Sequence, residues 1–221
     1  MNIVLLGPPA SGKGTQGVFL QKKMGFISIC AGDLLRLEVQ KSTPLGIQIK
    51  NILDNGGLVD DHLISILVGK QYALVHSSPH VIFDGYPRSV RQALDLELLL
   101  ISTGKQVDAV LYFDINVDTL IERVSGRYTC ADCGQIYHKN TKPSIKPGVC
   151  DACNGQKFFV RDDDNPEILS KRVGNFYKTT QPVVEFYKGK KNIYSIDASQ
   201  SYDVVSEQIK EIVNKKIKGE F

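Results

Sequence analysis

The chain has 221 residues, 42% of them hydrophobic and 23% charged, ordinary values for a soluble globular protein with one compact core and room for small inserts. A net charge of +3 is too weak to argue for nucleic-acid or membrane partners, so local clusters of arginine matter more than the total. No apolar run approaches a membrane span, and Ile3 to Leu6 are too few for the core of a signal peptide, which points to the cytoplasm.

In chain order, Asn2 to Leu6 reads as a buried strand, followed by a Gly/Pro-rich loop and a helix starting near Gly14. Phe26 to Ile29 is a second short apolar run, and helical patterns then break at Thr43-Pro44 and Asn55-Gly56-Gly57. His80 to Phe83, Val107 to Ile115 and Asn192 to Ile196 are further strand candidates. Leucine-rich Arg91 to Ile101 reads as a helix, as do Val117 to Val124, Pro166 to Tyr187 and Tyr202 to Lys218. Alternating β and α runs predict an α/β domain, with a parallel five-stranded sheet flanked by helices. The segment from Arg127 to Asp164 breaks this rhythm. It holds four cysteines and few long aliphatic residues, so it needs a staple to be stable.

Gly7-Pro8-Pro9-Ala10-Ser11-Gly12-Lys13-Gly14-Thr15 fits the phosphate-loop pattern G-x-x-x-x-G-K, lying between a strand and a helix as that pattern requires. Backbone N–H groups of such a loop point at phosphate, the helix N-terminus adds its dipole, and Lys13 reaches the β- and γ-phosphates. Neither a D-x-x-G switch element in the right place nor an N-K-x-D base-reading motif is found, which argues against a GTPase-like switch.

Cys130-x2-Cys133 and Cys150-x2-Cys153 are separated by sixteen residues, the spacing of a tetrahedral Cys₄ zinc site. Four thiolates leave no open position, so the metal is expected to be structural. Disulfides are the main competing reading and suit the compartment poorly. A nucleic-acid-binding zinc ribbon is another, weakened by scattered lysines with no aromatic platform. Cys30 follows the apolar run Phe26 to Ile29 and reads as a small buried hydrophobe.

Gly12-Lys13-Gly14-Thr15-Gln16 resembles the adenylate kinase family. Gly32-Asp33-Leu34-Leu35-Arg36 is similar to that family's acceptor-side helix start. Asp84-Gly85-Tyr86-Pro87-Arg88, followed by Gln92, resembles its D-G-[FY]-P-R signature, and Arg161-Asp162-Asp163 with Arg172 its lid-flanking arginines. The matches run from Met1 to about Arg172. The resemblance implies a P-loop kinase fold whose core spans residues 1–29, 60–126 and 165–221. It also implies a helical segment at 30–59 that binds the nucleoside monophosphate, and a zinc-binding lid of the long type at 127–164.

The implied activity is reversible transfer of a phosphoryl group from ATP-Mg²⁺ to AMP, giving two ADP, in a protein expected to be monomeric. On this resemblance Lys13, Arg88, Arg123, Arg161 and Arg172 surround the transferring group. Ala10, Ser11, Gly12, Gly14, Thr15, Arg127, Ile136, Tyr137 and Gln200 complete the ATP site. Ala31, Arg36, Gly57, Leu58, Val59, Gly85, Tyr86, Pro87 and Gln92 join the arginines at AMP, and Asp33 and Asp84 orient Mg²⁺ through water. The chemistry suits such a list, because phosphoryl transfer depends on positioning and charge neutralisation, and arginine forks bind phosphate oxygens in pairs.

Two departures from the family pattern stand out. Ala10 occupies a position where glycine is common, which is tolerable if φ is negative there. Ala31 replaces the usual Thr and resembles the pyrimidine monophosphate kinases, so a UMP/CMP-type enzyme is the alternative. Gln92 and the long lid favour AMP. A P-loop binding module carrying a zinc ribbon is the third reading. Gly126 is a candidate lid hinge.

Overall fold

The computed structural model describes residues 1–55, 57–140, 142–160 and 165–220. Its centre is a five-stranded, fully parallel sheet of β1 (Asn2–Leu6), β2 (Ile27–Cys30), β3 (Val81–Asp84), β4 (Ala109–Asp114) and β8 (Ile193–Asp197), in the order β2-β3-β1-β4-β8. Every one of the five expected strands is present, β1 with the expected bounds and the other four with edges moved by one or two residues. β1 lies in the middle because all five of its residues are buried, as a strand covered on both faces must be.

Side chains of β1 alternate between two cores. Val4 and Leu6 face α2 (Ala31–Gln40), α4 (Asp61–Val75), α5 (Val90–Ile101) and α8 (Gln181–Gly189) through Leu35, Val68, Leu96 and Val183. Ile3 and Leu5 face α1 (Lys13–Met24), α6 (Val117–Ser125), α7 (Pro166–Asn175) and α9 (Tyr202–Lys218) through Leu20, Leu120, Leu169 and Ile209. Burying each such side chain contributes about 1.5–3 kcal/mol. The two-residue repeat of β1 is thus the reason helices cover both faces.

Helix starts follow their side chains. Thr43 caps α3 (Pro44–Asp54), Asp60 caps α4, Ser89 caps α5, Asn116 caps α6 and Ser201 caps α9, each accepting a first-turn N–H. The expected single helix from Pro166 to Tyr187 is instead interrupted: a π-helical turn at Phe176–Thr180 separates α7 from α8. Thr179 Oγ1 donates to the Asn175 carbonyl within that turn and Thr180 Oγ1 donates to the Arg88 carbonyl. The second of these, a tertiary bond across ninety-two residues, is invisible to a periodicity argument.

A second sheet is antiparallel, in the order β6 (Ile136–His138), β5 (Arg127–Cys130), β7 (Phe158–Phe159). Its small core consists of Cys130, Tyr137 and Cys150, packed by Tyr128 and Phe158. Among the described residues no helix is long and apolar enough to cross a membrane.

Candidate active site

In a parallel sheet the strands' carboxyl ends open toward one edge, where ligands collect. Here Leu6, Cys30, Asp84, Asp114 and Asp197 end their strands along that edge. The loop after β1 wraps it. Gly7 approaches β4 so closely that a Cβ would lie 2.9 Å from Phe113 Cβ, and Gly12 adopts φ 96° just before α1. Among the described residues no side chain caps α1, so its first N–H groups stay available to an anion. Ala10 has φ 63°, the left-handed region, so the negative φ expected of it is not what the loop uses.

Lys13 Nζ turns back into this loop and donates to the carbonyls of Gly7 (2.8 Å) and Pro8 (2.6 Å), and to Ser11 Oγ at 3.2 Å. The loop's hollow is thereby filled by its own cation. Burial lowers the Lys13 ammonium to about 8; Asp84 opposes this, while Arg88, Arg172 and Arg127 repel it. Five charged groups from β3, its following loop, α1, β5 and α7 therefore act on one another at this edge. Burial also pushes the Asp84 carboxyl up, against the pull of Lys13 and Arg88. Asp84 lies beside the start of α1, with Oδ2 3.6 Å from where a Gly14 Cβ would stand.

Arg123 reaches the same loop from α6, donating to the carbonyls of Ser11 and Ser199, both at 3.5 Å. Gln200 follows Ser199 and donates to Asp197 Oδ2 at 2.8 Å. Thr15 lies on α1 and lines a cleft with Ile136 and Tyr202. Arg161, Asp162 and Asp163 lie outside the described residues.

On the other side, Ala31 is buried at the start of α2, and Arg36, one turn later, pairs with Asp33. Gly57, Leu58 and Val59 form the link between α3 and α4, with only Val59 buried. Gly85 accepts Arg88 Nε at its carbonyl (2.9 Å), and the Tyr86–Pro87 peptide is cis. Gln92 is 4% exposed, with both ends of its amide engaged inside the protein.

The four cysteines of the second sheet converge. All four sulfurs lie within 4.8 Å of one another, with Cys130–Cys153 at 3.6 Å and Cys133–Cys150 at 3.5 Å. Four thiolates about 2.3 Å from one tetrahedral metal would stand about 3.8 Å apart, so the cage fits such an ion. The cysteines are free thiols, contrary to the disulfide reading. Burial opposes ionisation of Cys150, yet hydrogen bonds from the Tyr137 hydroxyl and the Ala152 and Cys153 amides bring its thiol down to about 6. Tyr137 itself is 2% exposed, so its ring belongs to this small core and only its backbone can face a nucleotide.

Cys30 is only half-buried by area, ends β2, and has a thiol pushed up to about 12 by burial. Gly126 has φ −114°, open to any residue, so conformational freedom does not explain it. A Cβ there would sit 2.5 Å from His138 Nε2, so the close approach of that ring by itself favours glycine at this position.

The model of the adenylate kinase family matches residues 5–192. The chain belongs to the adenylate kinase family. Adenylate kinases of Novosphingobium aromaticivorans (40% identical, covering 96% of this chain and 99% of the relative) and Rhizorhabdus wittichii (38%; 97% and 100%) align along nearly their whole lengths. The adenylate kinase of Limosilactobacillus fermentum is 36% identical over 96% of this chain and 99% of its own. The chain is thus a nucleotide-binding phosphotransferase with the parallel α/β kinase fold, and neither the pyrimidine-kinase nor the binding-module reading is favoured.

For a member of the adenylate kinase family, the sequence left two groups at this edge unread: Asp61 and Ser89 carry no motif. Asp60-Asp61 before a helical pattern signals a cap, but not which carboxylate caps and which is released for other work.

Proposed function

We propose that this chain catalyses reversible transfer of the terminal phosphoryl group of ATP-Mg²⁺ to AMP, giving two ADP. The observation that carries the reading is the convergence of Lys13, Asp84, Arg88, Arg127 and Arg172 on the loop after β1. An AMP phosphate oxygen attacks the γ-phosphorus as the bond to the ADP oxygen breaks in line, so no nucleophilic side chain is required. ATP would displace the Lys13 ammonium from the loop carbonyls and take it onto the β- and γ-phosphates. The loop N–H groups of Ala10, Ser11, Gly12, Gly14 and Thr15 would hold the same phosphates.

Arg88, Arg123, Arg161 and Arg172 neutralise the transferring group, and Arg127, Gln200 and the backbone of Ile136 and Tyr137 hold the rest of ATP. Arg36, released from Asp33, joins Arg88 on the AMP phosphate. Gln92 and the 57–59 link meet its base, with Ala31, Gly85, Tyr86 and Pro87 lining the pocket. Asp33 and Asp84 would orient the water shell of the Mg²⁺ that accompanies ATP, which would supply neutralisation of the phosphate charge.

Residues 127–164 act as a lid and residues 30–59 as the monophosphate-binding segment, both closing on a core of residues 1–29, 60–126 and 165–221 to exclude water. Cys130, Cys133, Cys150 and Cys153 hold one structural zinc, supported by the fit of their sulfur cage. We place the enzyme in the cytoplasm as a monomer with no nucleic-acid or membrane partner, in keeping with paired C-x-x-C motifs that suit a metal and a net charge of only +3.

A coupled assay with AMP, GMP, UMP and CMP as acceptors tests the activity. ADP formation requiring both ATP and AMP is expected, and comparable kcat/KM for UMP or CMP would overturn AMP as acceptor. Metal analysis of freshly purified, unchelated protein should find one zinc per chain.

A further inference from the structure

Gln92 is held at both ends. Its Oε1 accepts the backbone N–H of Arg88 at 2.7 Å, and its Nε2 donates to Asp61 Oδ1 at 2.6 Å. The second Asp61 oxygen accepts Ser89 Oγ at 2.6 Å, and Ser89 Oγ in turn accepts the Gln92 N–H at 3.1 Å. Asp60 caps α4, accepting from His62 and Leu63, which releases the neighbouring Asp61 to bridge to α5.

These partners remove the usual freedom of an amide to flip. A backbone N–H only donates, and a carboxylate only accepts. Exchanging the ends of Gln92 would set Nε2 against the Arg88 N–H and Oε1 against the Asp61 carboxylate, two like-to-like contacts in a nearly buried place. Leaving buried polar groups so mismatched costs about 1–3 kcal/mol each. Each end nevertheless keeps one position: a second lone pair on Oε1 and a second N–H on Nε2. The amide therefore offers an acceptor and a donor side by side, in a fixed order.

Bases divide by this order. Adenine and cytosine carry an amino donor beside an unprotonated ring nitrogen. Hypoxanthine, guanine and uracil carry a carbonyl acceptor beside a ring N–H. We propose that Asp61 is a specificity-determining positioning residue: by locking the Gln92 amide it selects an acceptor nucleotide with an amino-bearing base over one with a carbonyl there. This rests on the reading that Gln92 meets the acceptor base. It also supplies a physical reason for rejecting UMP that does not depend on Ala31.

AMP and IMP test it, because their bases differ only in that donor–acceptor pair. The measurement is kcat/KM for each with saturating ATP-Mg²⁺, in the parent enzyme and in Asp61→Asn, Asp61→Ser and Gln92→Met. Asp61→Asn is nearly isosteric and can donate to a flipped Gln92, while Asp61→Ser deletes the carboxylate and gives a second route should the first variant fold poorly. Both should reduce the AMP:IMP preference by about tenfold or more, with KM for ATP unchanged. A variant that loses activity equally on AMP and IMP, keeping the ratio, assigns Asp61 a merely structural role and overturns the proposal. If Gln92→Met lowers the ratio and the Asp61 variants do not, only the Asp61 inference fails. If Gln92→Met keeps the ratio, the base-reading role of Gln92 falls and the inference with it.

Discussion

The hydroxyl of Tyr137 stands 3.3 Å from Cys150 Sγ and accepts the backbone N–H of Asp151 at 2.7 Å, which leaves its proton for the sulfur. Tyr137 is thereby an outer partner of the cysteine cage. Such partners orient ligands and change metal affinity by about 10–100-fold. Tyr137→Phe keeps the ring stack with Tyr128 at 5.4 Å and removes only this bond. Zinc loss to a chromogenic chelator should be at least about tenfold easier in the variant, with kcat close to that of the parent at saturating zinc.

Lys13 carries a pH dependence whose sign is set by burial. Its nucleotide-free ammonium is lowered to about 8, and bound phosphates would raise it again. With Lys13 on the ATP phosphates as proposed, binding is expected to take up a proton above pH 8, affinity being fully present below that value and declining as pH rises through it. The unfolded chain holds this proton up to about 10.5, so between those values Lys13 makes the nucleotide-free fold more stable as pH rises. Calorimetry at pH 8.5 in two buffers of different ionisation enthalpy should detect the uptake, and Lys13→Met should abolish it.

Ala10 sits at φ 63°, where an L side chain costs about 1–2 kcal/mol. Glycine removes that strain but gains about 0.4–1 kcal/mol of freedom in the unfolded chain. Ala10→Gly is expected to stabilise the protein by roughly 0.5–1 kcal/mol on balance, read as a higher urea midpoint with unchanged slope.

The His138 ring packs directly over Gly126, where the end of α6 meets the second sheet. The imidazole is held on both sides, with Nε2 3.2 Å from the Glu122 carbonyl and Nδ1 accepting the Asn140 N–H at 3.2 Å, so it cannot easily yield to a new methyl. Gly126→Ala should destabilise by about 1–3 kcal/mol through overpacking. The same substitution in a His138→Ala background should cost far less. A hinge would show an equal effect in both backgrounds.

Much of this protein was readable along the chain, for identifiable reasons. The five strands of the parallel sheet are short apolar runs bounded by turn residues, and their order of appearance needs only local patterning. The phosphate loop and the paired C-x-x-C motifs are contiguous, so spacing alone announces them. The π-helical turn at Phe176–Thr180 escaped because hydrogen bonds to distant backbone, such as that from Thr180 to Arg88, leave no local pattern. Ala10 misled in a simpler way. An alanine says nothing of φ until the loop around it is closed by Lys13.

What residue types and spacing pointed to by themselves was the kind of chemistry proposed here: a loop suited to phosphate, arginines suited to neutralising charge, and thiols spaced as metal ligands. Those properties belong to individual groups and short segments. The tertiary structure alone decided their working states, because these come from groups far apart in the chain. Packing lowered Lys13 among three arginines, drew Tyr137 under the cysteines, and set His138 against Gly126. It also laid Asp61 across thirty-one residues onto Gln92, turning a flexible amide into one with a fixed donor and acceptor.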